Sequence, residues 1–166
     1  MDANSITAEN GAIANLTVST LKIQDQAVTF PSAAQYVGLK KTLKSPTTFE
    51  TLVTMSVSAT AGSKILVEAT GMVGHEESNG TVNSTRNILY NAVITAQPPA
   101  GAETILLGFT NLRVMNFNNN GLIMRILFTT ASTGTYTYRF KIQYYSGTAY
   151  YLVTTVPTLS TLELKK

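Results

Sequence analysis

The chain has 166 residues, enough for one compact domain with a short appendage, and 44% of them are hydrophobic, which excludes a disordered protein. Charged residues make up only 13%, with Thr, Ser and Asn in their place, and the net charge of +3 rests on Lys165, Lys166 and the Lys40, Lys41, Lys44 cluster. No basic stripe interleaves with aromatics, so nucleic acid is excluded as a partner, and the absence of Cys removes disulfides, thiol nucleophiles and thiolate metal sites.

The first ten residues, MDANSITAEN, carry neither a basic region nor an apolar stretch, so they are not read as a signal peptide. No apolar run reaches the ~18 residues of a membrane-spanning helix. From the N-terminus to residue 31, Ile13, Val18, Ile23 and Val28 recur every five residues, and Leu16 and Leu21 keep the same beat. Five is neither the helical period nor the alternation of a flat strand. It fits a ribbon of small turns and short apolar steps that needs neighbours to bury its apolar side, and identical ribbons from other copies are the simplest neighbours. An ordinary N-terminal strand lying on the domain is the alternative. The segment divides the chain into a stem, residues 1–31, and a domain, residues 32–166, with Phe30-Pro31 as the expected stop because proline interrupts ladder pairing.

Residues 32–45 read as a loop or short irregular element, closed by Pro46. Alternation then predicts strands around Val53, Met55 and Val57, and around Ile65, Val67 and Ala69, with Ala61-Gly62-Ser63 between them. A polar stretch from Gly74 to Arg86 follows and is expected to be a long exposed loop. Ile88, Tyr90 and Ala92 resume the strand pattern until Pro98-Pro99. Residues 104–109 and 112–117 are two further strand candidates. Asn118-Asn119-Asn120-Gly121 predicts a tight hairpin, since Asn-Gly supplies positive φ angles. Residues 122–128 return from it. The longest strand is expected over 136–145, with Tyr136, Tyr138, Phe140, Ile142 and Tyr144 on one face, followed by 150–156 and, after Pro157, 159–164. Many short strands with regular turn signals and no helix predict an all-β fold, a jelly-roll-like β-sandwich knob preceded by a short intertwined β-stem.

Catalytic motifs are missing. His75 is the single histidine, and in His75-Glu76-Glu77 adjacent residues on a strand would point to opposite faces, so neither a metal site nor a general base is expected there. A glycosidase pair would need Glu68, Glu76, Glu77 or Glu103 to converge. No phosphate loop, nucleophile elbow or dinucleotide fingerprint occurs, so no enzyme activity, metal or cofactor is expected. Three glycosylation triplets, at Asn15, Asn79 and Asn83, are of a kind frequent by chance in a Thr- and Asn-rich chain. Six of the eight tyrosines fall between Tyr136 and Tyr151; subunit interface, receptor contact and plain core are all open for them.

SITAENGAIANLTVSTLKIQDQAVTFP resembles the segment leading into the C-terminal domain of lambda-type, J-like central tail fibre (host-specificity) proteins of long-tailed phages. Gly134-Thr-Tyr136-Thr-Tyr138-Arg-Phe140 and the closing Leu162-Glu-Leu164-Lys-Lys carry the second half of the likeness, which spans about a third of the chain, at its two ends. The resemblance implies a homotrimer, other tail proteins joined through the N-terminal side, and a tail-tip knob contacting a bacterial outer-membrane protein or surface glycan. The alternative is a structural trimerisation or decoration knob of a virion without its own ligand. Ile13, Leu16, Val18, Leu21, Ile23 and Val28 are the expected trimer contacts. Loops held by a rigid scaffold carry most binding residues, which nominates His75, Glu76, Glu77, Asn79 and Thr81 in the long loop and Asn118, Asn119 and Asn120 at the hairpin tip.

Overall fold

The computed structural model describes residues 30–77, 87–115 and 120–164. The stem contacts Ile13, Leu16, Val18, Leu21, Ile23 and Val28, the loop residues Asn79 and Thr81, and Asn118 and Asn119 lie outside them. Among the described residues nine strands form, in order β1 (Phe30–Gln35), β2 (Leu39–Leu43), β3 (Glu50–Ala59), β4 (Lys64–Glu76), β5 (Asn87–Gln97), β6 (Thr104–Met115), β7 (Asn120–Thr129), β8 (Gly134–Gly147) and β9 (Tyr151–Leu164).

They pair into two antiparallel sheets. One runs β1-β9-β4-β7 with β2 also on β9, and the other runs β3-β8-β5-β6. β1 and β2 lie end to end along the same strand: Phe30–Gln35 faces Glu163–Thr158, and Leu39–Leu43 faces Thr155–Tyr151. The two are halves of one edge strand, so the sandwich has four strands per layer. Successive strands cross between the layers, apart from the β5–β6 hairpin, and this is the jelly-roll winding.

Alternation explains the core. On β8, Tyr136, Tyr138, Phe140, Ile142 and Tyr144 point inward and are each less than 2% exposed, and each stabilises the fold by roughly 1.5–3 kcal/mol through burial. Ile65, Val67, Ala69 and Val73 of β4 and Ile88, Ala92 and Ile94 of β5 meet them from both layers. Phe128 closes edge-on against Tyr136 and Tyr138, with centroids 5.8 and 6.3 Å apart.

Five expectations are corrected. Residues 32–45 are not a loop, because β1 and β2 occupy most of them, and Pro31 does not stop pairing. It sits on an edge strand opposite Leu162, where a missing N–H is tolerated. The segment 104–109 and the described part of 112–117, up to Met115, belong to one strand, β6, interrupted by a bulge at Asn111 (φ 56°) opposite Asn91. The segments 150–156 and 159–164 are likewise one strand, β9. Its bulge at Val156-Pro157 (Val156 φ 48°) is held by the Tyr36 N–H on the Pro157 carbonyl (3.0 Å) and the Val156 N–H on the Gly38 carbonyl (2.9 Å). Finally, the strands on either side of Asn118-Asn119-Asn120-Gly121 do not pair with each other as a hairpin. These two, β6 and β7, belong to different sheets, β6 pairing with β5 and β7 with β4.

Candidate binding surface

The two ends of the sandwich differ. At one end the chain enters at Phe30, opposite Glu163, and Lys64 faces both Leu164 and Thr129. The turns there are short and tied to one another. The Gly62 N–H donates to the Thr130 carbonyl (2.8 Å), the Thr130 N–H to the Ser63 carbonyl (3.0 Å) and the Ala61 N–H to Thr133 Oγ1 (3.0 Å). The Tyr136 hydroxyl accepts the Ser132 N–H and donates to the Ser132 carbonyl.

The opposite end gathers the connections β2–β3, β4–β5, β6–β7 and β8–β9. Asn87 pairs with Met115, Val73 with Asn120, and Glu76 with Tyr151, which also pairs with Leu43. The nominated residues that the structure describes, His75, Glu76, Glu77 and Asn120, therefore lie at one and the same end. On it the Lys41 Nζ donates to Glu76 Oε1 at 2.5 Å and lies 5.4 Å from the Tyr151 ring centroid, while Tyr150 packs edge-on against Tyr151 at 4.7 Å. Tyr150 and Leu43 stand half-exposed. The Lys44 Nζ donates to the Gly147 carbonyl at 3.3 Å. This end offers cation, carboxylate and aromatic groups together, which is a suitable set for gripping a polar partner.

The polar stretch assumed to begin at Gly74 begins later. β4 runs through Glu76, so His75 is a strand residue whose side chain faces inward, opposite Leu152, and is buried. The solvated-loop reading of His75 is corrected, because the odd-numbered positions of β4 all point into the core. His75 and Glu76 consequently lie on opposite faces. Glu77 follows the strand and is half-buried, and Asn120 is exposed, donating its amide to the Arg113 carbonyl at 3.2 Å. The signal missed at the sequence level is Lys41 with Leu43, which had been read into a loop and which β2 brings beside the tyrosine doublet. Of the six clustered tyrosines, Tyr136, Tyr138 and Tyr144 are core, Tyr145 donates to Asn111 Oδ1 (3.0 Å), and Tyr150 is exposed.

The carboxylates do not converge. Glu68 is held by Arg125 (Nε to Oε2, 2.6 Å), Glu76 by Lys41, and Glu103 by Lys141 (2.6 Å), Arg139 (3.1 Å) and the Thr95 hydroxyl. Partial burial acts to raise the Glu103 carboxyl, but hydrogen bonds from Lys141, Thr95 and Arg139 and the Lys141 charge outweigh it and hold the group down to about 2. Glu103, Lys141, Phe49 and Ile105 line a depression of about 160 Å³ on the outer face of the β3-β8-β5-β6 sheet. Among the described residues no three His, Asp or Glu side chains gather as a metal would require.

The winding and the two four-stranded layers define the class of protein: a jelly-roll β-sandwich. No family model and no curated protein sequence matches the chain. Among solved structures it is similar to a chain from infectious bursal disease virus, Gx strain, with a TM-score of 0.53 at 11% identity over 83% of this chain and 32% of that one. It is also similar to the VP2 subviral particle of infectious bursal disease virus (TM-score 0.48, 11% identity, 96% of this chain and 41% of that one). The chain thus spans about a third of the length of the first viral chain. At such identity the likeness establishes the fold alone.

Proposed function

We propose that the chain is the distal knob of a virus-particle appendage, a tail-tip module of a phage virion that attaches to a bacterial surface protein or glycan. The observation that carries this reading is the polarity of the sandwich. The chain enters at the tied end, next to Glu163, and the longest connection between strands, the ten residues between Glu76 and Asn87, departs from and returns to the far end. A knob carried on an N-terminal stem would turn that far end, with Lys41, Lys44, Glu76 and Tyr150, toward its target. The likeness of fold to a virus protein and the resemblance of the N-terminal ribbon to J-like tail fibres support the same reading, and the ribbon's period supports a homotrimer.

A labelled full-length protein should adsorb to host cells, and the double substitution Tyr150→Ser with Lys44→Ser should lower adsorption by about tenfold or more, as loss of an aromatic anchor and a cation does in protein interfaces, with unchanged melting. A second reading is favoured by the fold likeness itself: a structural knob of the virion with no ligand of its own. Adsorption of the folded double variant at wild-type strength would move the reading there.

A further inference from the structure

The two outer faces of the sandwich are chemically unlike. Eleven large hydrophobic side chains are exposed among the described residues, and seven of them sit on strands of the β1/β2-β9-β4-β7 sheet: Leu39, Leu43, Met72, Ile123, Leu127, Val156 and Leu164. Tyr36 and Val37, on the connection joining its two half-strands, add to the same edge. The register lines up Pro31, Leu162, Leu66 and Leu127 as one apolar row across all four strands. A shallow depression of about 290 Å³ lies along this row, between Pro31 and Leu66. The other sheet instead turns out polar side chains bonded to one another, such as Asn91 to Gln143 (2.8 Å) and Arg139 to Gln97 (3.0 Å).

We propose that the outer face of the β1/β2-β9-β4-β7 sheet is where copies of this chain pack against each other, the occupant being a second copy. The area fits. Four strands about 4.8 Å apart and roughly ten residues long at about 3.3 Å per residue present roughly 600 Å², close to the ~800 Å² each partner contributes to a standard interface. The electrostatics fit as well. Glu68 and Arg125, the charged pair in the middle of the face, neutralise each other side by side, and the exposed Lys64 of the same face stands at its end, opposite Leu164 and Thr129. Position completes the case: β1, through which the N-terminal ribbon joins the domain, is the edge of this very sheet. Copies held together by that ribbon would meet at raised effective concentration. In this last step the inference rests on the assembly reading given above.

The absence of cysteine allows a matched test. Ile123 (66% exposed) lies on this face and Ile105 (63% exposed) on the opposite sheet. Ile123→Cys and Ile105→Cys are made separately in the full chain, and each folded protein's thiol-labelling rate is divided by its rate in denaturant, with mass measured by light scattering. In an oligomer, the Ile123→Cys thiol should react about tenfold more slowly, or slower still, than the Ile105→Cys thiol, as a covered site opens only rarely. Equal rates in an oligomer overturn the face and leave the assembly reading standing. A monomer with equal rates overturns both. A monomer with a slow Ile123→Cys thiol overturns the second copy as occupant and assigns the face to the chain's own N-terminal segment.

Discussion

Gly147 on β8 lies directly against Asn87 on β5: a Cβ placed on Gly147 would stand 2.3 Å from the Asn87 carbonyl oxygen and 2.9 Å from Ile88 Cα. The backbone there has φ +147°, and the same Asn87 carbonyl accepts the Thr148 N–H at 3.0 Å. Glycine is required twice over, by conformation and by space. Gly147→Ala should therefore destabilise the protein by about 2–4 kcal/mol. Gly62→Ala, also at positive φ (+83°) but with nothing near its added methyl, should cost only about 1 kcal/mol. Urea unfolding of the two variants decides it, and similar losses would contradict the steric account.

His75→Ala should lower stability by about 1–3 kcal/mol, because it removes a buried side chain from the inward face of β4 opposite Leu152. A solvated loop histidine would cost almost nothing. Chemical denaturation at neutral pH distinguishes the two.

Glu103 gives a pH signature. Its carboxyl is held at about 2 against an ordinary 4.5, so its contribution is present above the ordinary value and fades as pH falls toward the depressed one. Melting temperatures of wild type and Glu103→Gln should differ most near neutrality and converge between about pH 5 and pH 2. The difference will be modest, since the cluster is partly exposed to solvent. A gap that widens on acidification would contradict the assignment.

The bulge at Asn111 should tolerate only residues at ease with positive φ. Its N–H donates to Asn91 Oδ1 at 3.0 Å, fixing φ at 56°. Asn111→Gly should change stability by less than about 1 kcal/mol, whereas Asn111→Val should cost about 1–3 kcal/mol. Equal melting of the two variants would show that the bulge rearranges.

The amino-acid sequence by itself determined the all-β class, most strand positions and the inward row Tyr136, Tyr138, Phe140, Ile142 and Tyr144, because the two-residue alternation that places them is a local property of the chain. It also made the Lys41 and tyrosine clusters visible, though not their meeting. Only the tertiary structure decided which strands are neighbours. Asn118-Asn119-Asn120-Gly121 has hairpin chemistry, yet β6 and β7 separate into different layers, since pairing depends on where distant strands bury their apolar faces. Pro31 and Pro157 look like strand breaks, but an edge position and a bulge accommodate them. His75 looks like loop because its neighbours are polar, and turns inward because β9 extends β4 by several more pairs. The contrast between an apolar outer face and a polar one likewise emerges only when β1, β2, β4, β7 and β9, scattered along the chain, are laid side by side.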